Sequence, residues 1–178
     1  MHIDGHGGGN SGVHAVTVDV PLKPDLLATM KSNNYLLNAL VMMAAQDAGA
    51  SLGVQIEGGM ITESAVSCVG FVLDGVLTAP PFERILASTT LQRCFELAPL
   101  LVERGVLKGF EQRPVSLQEA TGGSVSEMID FGGGWTTAVI SFDGHAIGGG
   151  TPGPVQSALE QLVLDDFVAA EHTDPVPF

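Results

Sequence analysis

Residues 51–78 read SLGVQIEGGMITESAVSCVGFVLDGVLT, and this stretch decides the fold. Three short apolar runs, 51–57, 60–64 and 68–78, are punctuated by Gly58-Gly59 and by Asp74-Gly75. Asp-Gly favours the left-handed backbone of a two-residue hairpin turn. Runs this short and rich in Val, Ile and Phe read as paired strands.

Working outward, VHAVTVDV (13–20) alternates with period two and predicts another strand, which PLKPD breaks. Residues 33–48 carry Leu36, Leu37, Leu40, Val41 and Ala44 at helical spacing, with Asn33 or Asn34 as N-cap and Gly49 as the stop. APPFERILAS feeds a helix from about Thr90 to Arg104. A strand is expected at 106–116, a short helical turn capped by Ser116 through Glu119, and strands at 125–131 and 136–144 around three glycines. Pro152 or Pro154 opens a last helix to about Ala170. Strands with helices inserted between hairpins make the fold α+β, with no internal repeat.

Composition narrows the function. The 178 residues suit one domain, and 45% hydrophobic content supplies a core. A net charge of −13 argues against nucleic acid or an anionic membrane as partner, since both need a positive patch. Cys68 and Cys94 stand in apolar segments without a C-x-x-C pair, which argues against a disulfide framework or a zinc site. No run reaches the ~18 apolar residues of a membrane helix. The histidines of MHIDGHGGGNSGVH stand among glycines, so residues 1–12 read as a flexible leader rather than a metal tract.

Four places offer chemistry. Lys31, one of three lysines, stands at the head of the apolar run 33–48. It is either a lysine snorkelling from a helix start or a reactive amine, and the helix dipole disfavours a cation there. Glu63 closes the strand MITES, either as an exposed strand end or as a carboxylate positioned to keep an aromatic nitrogen protonated. Ser88, Thr89 and Thr90 precede a helix, where free amides and hydroxyls either cap it or receive a phosphate. Gly132, Gly133 and Gly134 make a loop or let backbone approach a ligand.

Taken in order, KSNNYLLNAL (31–40), ITES (61–64) with GFVLDGVLTAPPFERIL (70–86), STTLQRCFELA (88–98) and FDGHAIGGGTPGPV (142–155) resemble the class-IV aminotransferases. These are pyridoxal 5′-phosphate enzymes of fold type IV; the similarity is to the D-amino-acid aminotransferase branch and its plant branched-chain-aminotransferase-like members. The resemblance implies the larger C-terminal domain of that fold over residues 13–170, a barrel-like mixed sheet with flanking helices, followed by an irregular tail at 171–178. It implies that Lys31 forms the Schiff base and moves protons, Glu63 pairs with the pyridine nitrogen, and Ser88, Thr89, Thr90, Gly132 and Gly133 surround the phosphate. Asn34 falls on the asparagine that usually follows the lysine by three.

The implied reaction is transamination between a D-amino or branched-chain amino acid and a 2-oxo acid, with no metal. Aminodeoxychorismate lyase on the same fold and a truncated, inactive dimerising relative are the alternatives. A homodimer is implied, because family sites are completed across an interface, and the compartment is cytoplasm or plastid. Three departures stand out. Ser88 replaces a common glycine, SAVSC follows Glu63 where glycine and asparagine are usual, and glycines replace a phosphate-binding hydroxyl at 132–134. The family's smaller N-terminal domain, with its phosphate-binding arginine, is not matched, so a fragment or truncated product is expected.

Overall fold

The computed structural model describes residues 11–169. The tail expected at 171–178 lies outside them, as does the leader apart from Ser11 and Gly12.

The segment 51–78 forms the hairpins its punctuation predicts. β2 (Leu52–Glu57) and β3 (Met60–Ser64) pair antiparallel around Gly58 and Gly59, both at positive φ. β4 (Cys68–Leu73) and β5 (Val76–Ala79) pair around Asp74 and Gly75, at φ 52° and 85°. Two consecutive left-handed residues match the right-handed twist of the flanking strands. β7 (Val125–Gly132) and β8 (Trp135–Phe142) close the same way over Gly133 and Gly134.

β1 is shorter than expected, Val13–Thr17, and lies parallel to both β2 and β8. β6 is Gly109–Gln112 rather than 106–116; Val106 N and Leu107 N instead bond Leu101 O at the end of a helix. A two-residue strand β9 (His145–Ala146) pairs antiparallel with β8. The sheet order is β3-β2-β1-β8-β7-β4-β5-β6, a mixed half-barrel with flanking helices.

Both faces of this sheet are covered, and strand alternation assigns each side chain. On β4, Cys68 and Val72 join Ile129 and Phe131 of β7 beneath two helices, α3 (Thr89–Glu103) and α5 (Pro154–Phe167). Leu91, Cys94, Ala98 and Leu101 form the buried stripe of α3 at spacings of three and four. Val69, Phe71 and Leu73 point to the opposite face, with Ala15, Val54, Met128 and Phe142.

Two elements between β1 and β2 differ from the sequence reading. A single helical turn, α1 (Asp25–Ala28), follows Pro24, and α2 covers Leu36–Asp47 with Tyr35 at its N-cap and no side-chain cap. Neither Asn33 nor Asn34 is the cap. Asn34 N bonds Ser32 Oγ and Tyr35 N bonds Asn33 O, local bonds that compete with helix formation. Lys31 therefore lies on the loop before α2, not at the head of the helix. Ser116 caps α4 (Leu117–Thr121) through the Glu119 amide at 3.1 Å.

Candidate active site

Four segments meet around a cleft of about 430 Å³. They are the stretch from Lys23 through α1 to the first turn of α2, the end of β3 with the turn into β4, the start of α3, and the β7–β8 turn. The cleft brings together Lys31, Glu63, Ser88, Thr89, Thr90, Gly132 and Gly133; Gly134, the third glycine of that loop, does not line it.

Glu63 owes its position to strand period. Ile61 faces the core, and two residues on Glu63 keeps the same face where β3 ends at the cleft. The residue is 8% exposed, so the exposed strand-end alternative is set aside. Its Oε1 accepts from Lys23 Nζ at 2.7 Å, and its Oε2 from the Leu86 amide at 3.4 Å. Lys23, which the sequence places in an ordinary Pro-flanked turn, is thus a member of the site. Lys31 Nζ donates to Tyr35 Oη and lies 4.5 Å from the centroid of that ring. Tyr35 and Asn38 also line the cleft, and Asn38 Nδ2 donates to Ala65 O, anchoring α2 to the turn after Glu63. The KSNN spacing points to Tyr35, four residues from the lysine; nothing local points to Lys23.

The start of α3 has the chemistry of an anion site. Ser88 Oγ donates to Phe131 O and accepts from Leu91 N, both at 3.2 Å, so its hydroxyl is committed to capping. The Thr89 and Thr90 amides, among the described residues, have no partner, as expected of the first turn of a helix. Thr90 Oγ1 accepts from Gly134 N at 3.0 Å, which leaves its hydroxyl hydrogen free to donate. At Gly132 a Cβ would lie 2.7 Å from Ser67 Cβ, so the turn's close approach requires glycine. Open amides facing a cleft with a buried carboxylate and a primary amine farther along fit pyridoxal phosphate, whose anionic and basic ends lie apart.

Behind the cleft wall, Ser64 Oγ and Ser67 Oγ share a hydrogen bond of 2.6 Å, and Ser67 Oγ donates to Asp130 Oδ1 at 2.5 Å. Burial pushes the Asp130 carboxyl up to about 7, with the Ser67 hydroxyl opposing. Burial likewise pushes the Cys68 thiol up to about 12, helped by the nearby Glu63 and Asp130 charges. Cys94, also buried, is pushed up to about 12, so neither is poised as a thiolate nucleophile. Arg84 is engaged by Asp25 and Glu57, and Arg93 by Glu96 and Asp166. Neither lines the cleft.

The sequence profile of the amino-transferase class IV family matches residues 9–124. A chloroplastic D-amino-acid transaminase of Arabidopsis thaliana is 38% identical over 160 residues, 88% of this chain and 42% of its own length. A D-alanine aminotransferase of Bacillus licheniformis is 31% identical over 165 residues, 88% and 54%. The chain spans about half the length of these curated relatives. The Escherichia coli branched-chain amino acid aminotransferase superposes with a TM-score of 0.77 at 26% identity, covering 92% of this chain and 55% of that one. The branched-chain amino acid aminotransferase of Thermobaculum terrenum in its PLP form gives 0.75 at 24%, covering 87% and 50%. The fold is the C-terminal domain of the fold-type IV aminotransferases, and the chain belongs to the class IV aminotransferase family.

Proposed function

We propose that this chain is the cofactor-holding part of a pyridoxal phosphate-dependent aminotransferase acting between a D-amino or branched-chain amino acid and a 2-oxo acid. The observation that carries this is the convergence of Lys31, the buried Glu63 and the open amides of Thr89 and Thr90 on one cleft.

When bound, pyridoxal phosphate withdraws electrons from the Cα of an attached amino acid. The Thr89 and Thr90 amides and the Thr90 hydroxyl hold the phosphate, while Gly132 and Gly133 let backbone approach it. The Glu63 carboxylate holds a proton at the ring nitrogen. The Lys31 amine would hold the aldehyde end, and its Nζ is the group that would take and return a proton at Cα as general base and acid. Tyr35 orients that amine through its hydroxyl. The names of the relatives support a D-amino or branched-chain substrate. A dimer completing the cleft and a plastid or cytoplasmic location belong to the same proposal.

The test is chemical. The chain mixed with pyridoxal phosphate should develop an absorption band near that of a lysine-bound aldehyde, and borohydride should fix the label on Lys31. Equal labelling of Lys31 and the exposed Lys108 would overturn the proposal. Pyruvate released without a 2-oxo acid acceptor would indicate the lyase instead.

A further inference from the structure

The cleft contains a second primary amine to which the transamination reading gives no task. Lys23 Nζ lies 2.7 Å from Glu63 Oε1, with the two side chains 17% and 10% exposed. Its segment is tied down from β2: Val18 N bonds Val54 O at 3.0 Å, and Gln55 Nε2 bonds Val20 O and Pro21 O at 3.3 and 3.4 Å. The neighbouring carboxylates Asp25 and Glu57 are both taken by Arg84, at 2.6 and 3.0 Å. Glu63 is what remains for Lys23, and the amine lines the same cavity as Lys31.

An aldehyde entering that cavity meets two amines. Condensation needs a nitrogen lone pair: it attacks the carbonyl carbon, a proton passes from nitrogen to oxygen, and water leaves as the C=N bond forms. An ammonium donating to a carboxylate has no lone pair to offer. Lys31 donates to a phenol rather than to a carboxylate.

We propose that Glu63, by ion-pairing Lys23, withholds it from aldehydes, so that the cleft's chemistry falls to Lys31 alone. Glu63 thereby selects between two lysines, and Lys23 is a positioning residue that keeps the carboxylate aimed into the cleft. The proposal rests on the cofactor reading above, and two probes separate their failures.

Native chain, Lys31→Ala, Glu63→Gln and the double variant are treated with pyridoxal phosphate or, separately, with propanal. Borohydride then delivers hydride to the imine carbon, nitrogen takes a solvent proton, and the secondary amines are mapped by mass spectrometry against the exposed Lys108. Native chain and Lys31→Ala should label Lys23 less than Lys108 with either aldehyde. Glu63→Gln, which removes the charged partner at 2.7 Å, should raise Lys23 labelling severalfold relative to Lys108. Unchanged Lys23 labelling with propanal overturns the selection, even if Lys31 takes pyridoxal phosphate. Selection seen with propanal but no preference of pyridoxal phosphate for Lys31 overturns the cofactor reading alone. Circular dichroism checks folding. Should Glu63→Gln unfold, Glu63→Asp is read instead, and Lys23 labelling no higher than native overturns the proposal.

Discussion

Replacing Asp130 with asparagine should stabilise the protein at pH 8 and not at pH 4. Asp130 stands on β7 between Val69 of β4 and Thr137 of β8 and accepts a 2.5 Å bond from Ser67 Oγ. Burial raises its carboxyl from an ordinary 3.8 to about 7. Because the folded value lies above the unfolded one, the group's favourable contribution is complete below about pH 4 and is lost as pH rises to about 7. The shift is about three units at about 1.4 kcal/mol each, so ionised Asp130 costs the folded state on the order of 4 kcal/mol. Asparagine keeps an acceptor for Ser67 and never ionises. Urea denaturation from pH 4 to 8 should show the Asp130→Asn variant gaining up to about 4 kcal/mol over native as pH rises, and a melting advantage on the order of 10 °C at pH 8. Taking the difference between the two proteins cancels other titrating groups, including Glu127, also raised by burial, and Glu119, held down by Arg113. A stability difference independent of pH between 4 and 8 would refute the reasoning.

Two other substitutions probe the site and its support. Glu127 is buried on β7 and receives the Val155 and Gln156 amides, both at 2.8 Å, where α5 begins. Glu127→Ala should cost about 2–3 kcal/mol in chemical denaturation, since it strips the helix start of a charged partner. Thr90→Val removes both the acceptor for Gly134 N and the proposed phosphate donor; pyridoxal phosphate affinity measured by fluorescence quenching should fall roughly tenfold, with the fold intact by circular dichroism.

What the sequence could tell depended on distance along the chain. The hairpins at 58–59, 74–75 and 133–134 were legible because their glycines and Asp74 are local signals with one cheap conformation. Lys31 and Thr89-Thr90 were legible because each stands beside the helix that marks it, and Glu63 because it ends a strand. The loop ahead of α2 misled, since KSNN carries helix-cap residues that bond one another instead. α1 is a single turn, too short to leave a period. Lys23 and Glu63 are 40 residues apart, and Ser67 and Asp130 are 63 apart. Such pairs exist only once the sheet order is known, and no window of sequence contains it.

The place of β1 in that order governs when the cleft can exist. β1 lies between β2 and β8, and Thr17 N bonds Asp143 Oδ1 across 126 residues of chain. During synthesis both lysines and Glu63 leave the ribosome long before β8 does. Until β8 arrives, β1 has β2 as its sole strand partner and a bare edge, exposed to wrong pairing. β1 can therefore take its place beside β8 only after residue 142 has been made. Any agent that delays that pairing leaves Lys31 synthesised yet without the cleft it lines.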